Sequence, residues 1–297
     1  MDKILVTGGT GFFGLNFLKN LENNIFLLGN KRKLRKSHRQ IIYLPKLDKK
    51  NLIKFVIKNN IKVIIHAAAI TDIDFAEKNK FITNNTNFRF TKTISDIAKL
   101  YNLKIVFIST DQLYNNHLGY SKEIQKIDIL NYYSLTKYKS ENYIKENNIK
   151  YWIIRCSFFG WGTKYKKSLS DFIYYNLKNK NDLRLWSNIY FNPIYVSELI
   201  EIIKTIINYK TGTYNIGSKK RISKLEFGLS LAKVFNLSTK QIKKINYESK
   251  KVLRPNDMSV NISKISKIFN KKNFDIEYQL NLLKKDANFF RKELLKF

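Results

Sequence analysis

The chain has 297 residues, 44% of them hydrophobic and 14% aromatic, which is enough apolar material for a large core and excludes a disordered protein. No apolar run reaches the roughly 20 residues that cross a bilayer, and the single cysteine, Cys156, excludes an internal disulfide framework. The net charge of +32 is spread along the whole chain, so we predict a surface that attracts anionic ligands, without nucleic-acid or membrane binding.

Strand-like and helix-like segments alternate through the first half of the chain. The opening residues MDKILVTGG run directly into the first strand, 3–7, without the pattern of an export signal, so we expect a cytoplasmic protein. β-branched runs follow at 24–29, 62–69, 104–110 and 151–157, with helical patterns at 12–23, 50–60 and 87–102. This order predicts an α/β fold with a doubly wound parallel sheet of the Rossmann type.

The pattern changes after about residue 160. Helical patterns lie at 168–179 and 192–207, a short strand at 213–217, and the remainder is largely helical, ending in the amphipathic stretch 276–297. We predict a dinucleotide-binding domain over 1–160, to which 190–217 returns, and a smaller, mainly helical substrate-binding lobe over 161–297.

A glycine-rich loop, TGGTGFFG, follows the first strand and opens the first helix. It holds four of the 11 glycines: Gly8, Gly9, Gly11 and Gly14. Glycine lets backbone amides approach a pyrophosphate, and a helix N-terminus supplies N–H groups and a positive dipole. In this position the loop predicts dinucleotide binding, the alternative being a tight turn without a ligand.

The segment after the second strand indicates which dinucleotide binds. Folds that prefer NAD carry an acidic residue there, whereas this chain has Asn30, Lys31 and Arg32. Cations at this place favour the 2′-phosphate of NADPH, with NADH as the alternative. Asp48, further on, either accepts a hydrogen bond from the adenine amino group or caps the next helix.

The spacing Tyr-x-x-x-Lys occurs three times, beginning at Tyr133, Tyr174 and Tyr247. Residues four apart share one face of a helix, so a lysine at this spacing can hold its ammonium beside the phenol. A free tyrosine has a pKa near 10, and a neighbouring cation moves that pKa toward neutrality, where acid/base catalysis is efficient. The spacing alone does not select one of the three pairs.

In their order along the chain, these motifs resemble those of the extended short-chain dehydrogenases/reductases. In that family HAAA (66–69) lies beside the cofactor, a Ser or Thr ends the next central strand, and the Tyr-x-x-x-Lys helix follows. The resemblance selects Tyr133 with Lys137, because Tyr133 follows the candidate hydroxyl residue Thr110 by 23 residues. The cofactor contacts that it implies are Gly8, Gly11, Phe12, Phe13, Gly14, Ala67, Ala68 and Lys137. Lys137 would bind the nicotinamide ribose, and Thr110 the substrate oxygen that gains charge during hydride transfer.

Three further stretches resemble dTDP-4-dehydrorhamnose reductases: STDQLY (109–114), NPIYVSELI (192–200) and RPNDMSVNISKI (254–265). Sugar-nucleotide dehydratases place Asp-Glu after the catalytic threonine, whereas this chain has Asp111 and Gln112. A glutamine side chain cannot exchange a proton at neutral pH, so dehydration is disfavoured. Phe12 and His66, in contrast, are choices more typical of the epimerases.

The resemblance also implies substrate contacts at Asp111, Asn87 and Arg254. Arg254 either pairs with the diphosphate of the substrate or ties the C-terminal lobe together. Asn87 either shapes the active site or caps a helix.

We therefore expect an NADPH-dependent reductase of the 4-keto group of a nucleotide-diphosphate 6-deoxy-sugar, such as dTDP-4-dehydro-L-rhamnose, that serves surface-polysaccharide synthesis. The alternatives are an NAD-dependent sugar-nucleotide epimerase and a non-catalytic regulatory subunit of the same fold. The three histidines are scattered, so no metal site is expected, and a homodimer is left open.

Overall fold

A computed structural model describes residues 2–29, 40–43, 48–115, 117–163, 166–248, 252–269 and 274–294. The chain forms two compact units. The first unit contains residues 1–109, 131–154 and 203–213, and the second contains 110–130, 155–202 and 214–297. The predicted division of ligand binding between 1–160 and 161–297 stays a prediction.

The elements are numbered in chain order. The strands are β1 (Lys3–Thr7), β2 (Ile25–Gly29), β3 (Ile41–Tyr43), β4 (Ile61–His66), β5 (Lys104–Ile108), β6 (Tyr151–Arg155), β7 (Phe158–Phe159), β8 (Leu183–Trp186), β9 (Tyr190–Phe191), β10 (Ile194–Tyr195), β11 (Gly212–Asn215), β12 (Ile222–Ser223) and β13 (Ile242–Ile245). The α-helices are α1 (Phe12–Leu15), α2 (Lys49–Asn59), α3 (Ile73–Lys78), α4 (Lys80–Asn84), α5 (Phe90–Leu100), α6 (Tyr132–Glu146), α7 (Leu169–Lys178), α8 (Val196–Ile206), α9 (Lys224–Phe235) and α10 (Ile276–Leu294). Short 3₁₀ turns span Asn16–Asn20, Asp111–Leu113 and Ile265–Lys267, and a π-helical turn spans Asn85–Arg89.

The central sheet has the strand order β11-β6-β5-β4-β1-β2-β3. The pairings from β6 through β3 are all parallel. This confirms the predicted doubly wound α/β sheet. The strand order reverses between β1 and β4, and in such sheets ligands bind beyond the carboxyl ends of the strands at the reversal. The ends of β1 and β4, at Thr7 and His66, are therefore where a dinucleotide site is expected.

Apolar side chains on one face of the sheet form a core cluster of the first unit. Leu5, Ile64, Ile105 and Ile153, from four parallel strands, have no exposed surface. They pack with residues one helical turn apart on α2 and α5, namely Leu52, Val56, Ile94, Ile97 and Ala98. Because helices cover the sheet, its strands read as near-continuous apolar runs.

The first helix is shorter than the pattern over 12–23 predicts. α1 ends at Leu15 and a 3₁₀ turn follows. The Asn16 side chain donates a hydrogen bond to the Phe12 carbonyl at 2.7 Å, which is a local bond of the kind that competes with regular helix.

The second unit is built from helices and two-stranded pairings. β10 pairs with β7 and β13 with β8 in parallel, and β12 pairs with β9 in antiparallel fashion. No described helix is long and apolar enough to cross a membrane. Within the described ranges, no group of three or more His, Cys, Asp or Glu side chains is placed to hold a metal ion.

Candidate active site

The glycine loop lies against the end of β4. Gly8 has a φ of +73°, and a Cβ built on it would lie 2.9 Å from the Ala68 nitrogen. A Cβ on Gly14 would lie 2.4 Å from the Gly9 Cα. Side chains at either position are therefore excluded, and the loop backbone lies beside the Ala67–Ala68 segment. The cofactor contacts of these residues stay a prediction.

The first turn of α1 has no side chain that caps it. The N-cap residue is Gly11, which has no side chain that could cap the helix. Its own N–H donates to the Gly8 carbonyl at 2.8 Å. The Phe13 ring is buried and packs edge-on against Phe17, so its ring is turned into the core, whereas Phe12 is only partly buried. An uncapped helix start behind a glycine loop fits the pyrophosphate of a dinucleotide.

The remaining predicted cofactor residues have different outcomes. Asp48 caps α2, accepting from the Asn51 N–H at 2.7 Å, so the capping alternative describes its observed contact. Its contact with adenine stays a prediction. Asn30, Lys31 and Arg32 lie outside the described residues.

A buried chain of hydrogen bonds begins at the end of β1. Thr7 Oγ1 lies 2.6 Å from His66 Nδ1, and His66 Nε2 lies 2.9 Å from Thr91 Oγ1. Thr91 donates its hydroxyl proton to the Asn87 carbonyl, so it can only accept from His66. His66 is therefore protonated on Nε2, and its Nδ1 accepts from Thr7, which also accepts from the Ala68 N–H at 3.3 Å.

This histidine is held in the neutral form. His66 lies between Phe90, which it meets edge-on, and Phe107, on which it stacks. Burial lowers the pKa of His66 to about 3, and the nearby Lys137 ammonium lowers it further in the same direction. A neutral imidazole with one donor and one acceptor is what the two threonines require.

Asn87 continues the chain of hydrogen bonds to α6. Its Oδ1 accepts from the Ile70 N–H at 2.7 Å, and its Nδ2 donates to the Ile70 carbonyl and to Thr136 Oγ1. Its carbonyl also accepts from Ser140 at 3.1 Å. Thr136 in turn donates to the Tyr133 carbonyl at 2.7 Å. Asn87 is thus a buried link to the helix of the predicted catalytic pair and does not cap a helix.

Helix α6 carries the predicted catalytic pair, Tyr133 and Lys137, on a buried face. It begins at a capping box, in which the Asn131 side chain accepts from the Ser134 N–H. Tyr133 is 7% exposed and Lys137 is 2% exposed. Two polar side chains four residues apart are therefore turned away from solvent on the same helix face.

Lys137 is anchored to the end of β5. Its ammonium donates to the Ile108 carbonyl at 2.5 Å and lies 4.0 Å from the centre of the Phe107 ring. A buried ammonium needs such partners, and these fix its position on the inner face of α6.

A second buried contact, which the sequence did not predict, joins α6 to the residue that follows β5. Ser109 donates to Glu141 Oε1 at 2.6 Å, and the Glu141 side chain has no exposed surface. Lys145 lies 3.5 Å from the other carboxylate oxygen. This contact ties α6 to the end of β5. The glutamate four residues after Lys137 was the available signal.

Thr110 and Asp111 lie in the second unit and start a 3₁₀ turn. Thr110 Oγ1 accepts from the Gln112 N–H at 3.2 Å and lies 3.4 Å from Asp111 Oδ1. Asp111 is 4% exposed, and burial raises its pKa while the Lys224 ammonium opposes that rise. The Gln112 amide contacts the Met258 sulfur at 2.9 Å, so it is a packed side chain.

Arg254 lines a cavity of about 350 Å³ in the second unit. His117 and Tyr247 also line it, and its walls are completed by Asn115, Leu130, Leu253 and Asn256. The cavity is therefore rimmed by an arginine, an imidazole and a phenol, which suits a polar, anionic ligand.

Comparison with known proteins shows which family the chain resembles. The model of the RmlD substrate binding domain matches residues 1–288. The chain is 24% identical over 259 residues to ADP-L-glycero-D-manno-heptose-6-epimerase of Brachyspira hyodysenteriae, covering 78% of this chain and 81% of the epimerase.

Solved structures resemble the chain over nearly its whole length. A hypothetical dTDP-4-dehydrorhamnose reductase from Sulfolobus tokodaii is 26% identical and has a TM-score of 0.79, covering 94% of this chain and 99% of that one. The dTDP-4-dehydrorhamnose reductase of Bacillus anthracis, solved in complex with NADP, is 21% identical with a TM-score of 0.78, and the match covers 96% and 98% of the two chains.

Proposed function

The chain belongs to the RmlD substrate binding domain family, and we propose that within it the chain is an NADPH-dependent reductase of the 4-keto group of a nucleotide-diphosphate 6-deoxy-sugar, with dTDP-4-dehydro-L-rhamnose as the first candidate. Its class is that of the NAD(P)-dependent sugar-nucleotide enzymes of the short-chain dehydrogenase/reductase type. The observation that carries the proposal is the buried Tyr133 and Lys137 pair on α6.

The residues of the first unit hold the cofactor in this proposal. The glycine loop and the uncapped start of α1 fit the pyrophosphate, and Lys137 hydrogen-bonds the nicotinamide ribose. NADPH, when bound, supplies the hydride. Lys31 and Arg32 are the proposed partners of its 2′-phosphate.

The acid/base chemistry belongs to Tyr133, Lys137 and Thr110. Tyr133 donates the proton that the 4-oxygen of the sugar takes up, and Lys137 stabilises the phenolate that remains. Thr110 donates a hydrogen bond to the same oxygen, on which negative charge develops. Its hydroxyl is available for this because its present contact with Asp111, at 3.4 Å, is long.

The second unit holds the substrate in this proposal. Arg254 pairs with the diphosphate in the cavity that it lines, and Asp111 contacts the sugar. Asn87 acts from the first unit by holding α6 through Thr136.

A tyrosine substitution tests the assignment. Tyr133→Phe removes only the phenolic oxygen, so we expect kcat to fall at least about a thousandfold while the fold is kept. Tyr143→Phe is the matched control, because Tyr143 lies on the same helix and its hydroxyl donates to Asp96 at 2.7 Å. NADPH absorbance with dTDP-4-dehydro-L-rhamnose measures turnover. Equal rates for Tyr133→Phe and wild type would refute the proposed chemistry.

A sugar-nucleotide epimerase is the second candidate, favoured by the similarity to the heptose epimerase and by His66. An epimerase returns the hydride to the substrate, so it needs no external reductant and retains its cofactor. Purified protein that releases nicotinamide dinucleotide on denaturation, and that interconverts sugar nucleotides without added NADPH, would favour this candidate over the reductase.

A further inference from the structure

A lysine occupies the first position of α9, where an aromatic ring lies against its ammonium. α9 begins with a capping box between Ser223 and Glu226, and Lys224 follows the cap directly. The Lys224 ammonium lies 3.1 Å from the centre of the Phe191 ring. Phe191 reaches this place because β9 pairs with β12, with Ile222 opposite it.

Three features make this an unfavourable place for a cation. The ammonium is enclosed by protein although part of the residue is exposed, and burial lowers the pKa of Lys224 to about 7. The N-terminus of a helix is also the positive end of its dipole. Among the described residues, Lys224 forms no ion pair within 4.0 Å. The Phe191 ring is thus the observed partner of the ammonium, and it supplies no hydrogen-bond acceptor of the kind a buried ammonium needs, so a ligand contact is the alternative to examine.

Asp111 is the charged group that acts on Lys224. The Asp111 carboxylate raises the pKa of Lys224, against the larger effect of burial, and the Lys224 ammonium lowers the pKa of Asp111 in the same way. The two groups therefore interact electrostatically without forming an ion pair within 4.0 Å. Asp111 also adjoins Thr110, the proposed partner of the sugar 4-oxygen.

The chemistry of this pair distinguishes between ligand groups. A carboxylate beside the ammonium offsets its charge and repels a phosphate, so the pair does not suit the diphosphate. A hydroxyl group can accept a hydrogen bond from an ammonium and donate one to a carboxylate at the same time. Sugar hydroxyls have this capacity, and the cavity that Arg254 lines offers a separate place for the diphosphate.

We propose that Lys224 and Asp111 together bind one hydroxyl group of the sugar, with Lys224 as the donor and Asp111 as the acceptor. Lys224 is then a specificity-determining residue for the sugar part of the substrate. This inference rests on the proposed function, since it takes the sugar to lie beside Thr110.

The experiment compares a ligand that has the sugar with one that lacks it. Calorimetry measures the affinities of dTDP-L-rhamnose and dTDP for the full chain. We expect Lys224→Met to weaken dTDP-L-rhamnose about tenfold and to leave dTDP within about twofold of wild type. Lys233→Met is the matched control, because Lys233 is an exposed lysine on the same helix, and it should change neither affinity.

A second pair of variants keeps the test independent of folding. If Lys224→Met unfolds, Lys224→Gln replaces it, since the amide retains a donor of shorter reach. In Asp111→Asn the acceptor is weakened, and the double variant with Lys224→Met should weaken dTDP-L-rhamnose by less than the product of the single effects, because both side chains bind one hydroxyl.

Two results would overturn the inference and one would overturn its premise. Equal weakening of dTDP and dTDP-L-rhamnose would place Lys224 at the diphosphate. Unchanged affinity for both would remove Lys224 from the ligand. A wild-type chain that binds neither ligand and reduces no dTDP-4-dehydro-L-rhamnose would refute the proposed function as well as this inference.

Discussion

The two units treat buried polar groups in opposite ways. In the first unit, the hydrogen bonds that run from Thr7 through His66 and Thr91 to Asn87 join neutral groups, each donor with an acceptor. In the second unit, Asp111 and Lys224 are ionisable groups that burial pushes toward their neutral forms, raising the pKa of Asp111 and lowering that of Lys224 to about 7, and they form no direct ion pair. A satisfied neutral network stabilises one geometry, whereas charges without full partners are costly unless a ligand completes them. The first arrangement suits holding α6 in place, and the second suits binding a substrate.

Lowering the pH should disrupt the neutral hydrogen-bond network of the first unit, because it protonates His66. The pKa of His66 is about 3 in the folded chain because of burial and, to a smaller degree, Lys137, against about 6.5 when unfolded. Below pH 6.5 the unfolded chain therefore binds the extra proton, so stability is full above that pH and is lost as the pH falls toward 3. We expect His66 to account for a loss of roughly 4 kcal/mol across this window.

Urea unfolding of wild type and His66→Asn from pH 7 to pH 3 measures this loss. The asparagine retains one donor and one acceptor but does not titrate, so the variant should lose less stability in acid. His117→Asn removes an exposed histidine and should follow wild type. Identical pH dependence of wild type and His66→Asn would contradict the buried neutral imidazole.

Removing Asn87 breaks the same network at its branch point. Asn87→Ala leaves the Ile70 N–H and carbonyl and the Thr136 hydroxyl without their side-chain partner. We expect the free energy of unfolding to fall by about 3 kcal/mol, since each unsatisfied buried group is costly. Thermal unfolding provides the check, with Asn176→Ala as the control, because the Asn176 side chain makes only exposed hydrogen bonds, to the Phe172 carbonyl and from the Asn181 amide. A loss no larger than that of the control would contradict the branch-point role.

Local pattern was enough for the framework of the first unit. The runs at 3–7 and 104–110 contain the observed strands Lys3–Thr7 and Lys104–Ile108. Short β-branched runs that lie between turns and helical patterns are typical of buried strands. The glycine loop was recognisable because its glycines follow a strand and open a helix. The steric exclusion at Gly14 is local, since its Cβ would meet Gly9, whereas the exclusion at Gly8 comes from Ala68, which lies 60 positions away in the sequence. The family resemblance supplied the choice of Tyr133.

Tertiary proximity determined what the sequence did not predict. Ser109 and Glu141 are 32 positions apart, and only the packing of α6 on β5 brings them together. Lys224 is one of 55 Lys and Arg residues, so its burial has no signal in a chain that is basic throughout. The early end of α1 coincides with a hydrogen bond of the Asn16 side chain to the Phe12 carbonyl, which the helical pattern does not reveal.

The Ser109 and Glu141 pair tests whether a buried charge in the first unit is as well satisfied as the neutral network. Ser109→Ala leaves Glu141 Oε1 buried without its hydroxyl donor, so we expect a loss of about 2 kcal/mol in unfolding free energy. Lys145→Ala removes only a partly exposed ion pair and should cost less than about 1 kcal/mol. Chemical denaturation of both variants at pH 7 measures the difference, and equal losses would mean that the hydroxyl contributes no more than a surface charge.

Of the substitutions considered, Lys224→Met should change the free energy of unfolding least, and it should raise that free energy where the others lower it. Its folded pKa of about 7 lies below the unfolded value of 10.5, so the cost of the buried ammonium is fully present below pH 7 and is relieved as the pH rises toward 10.5. Lys224→Met lacks that cost. We expect it to be more stable than wild type by about 1 kcal/mol at pH 6, a figure reduced because the residue is partly exposed, and the gain should vanish near pH 10.

Denaturant unfolding at pH 6, 8 and 10 measures this change, with Lys233→Met as the variant that should show no pH-dependent gain. A Lys224→Met chain that is less stable than wild type at pH 6 would mean that the ammonium contributes to the fold. A gain in stability together with weaker binding of dTDP-L-rhamnose would instead show that the lysine is retained for its ligand at the expense of stability, as sites with incompletely satisfied charges are expected to be.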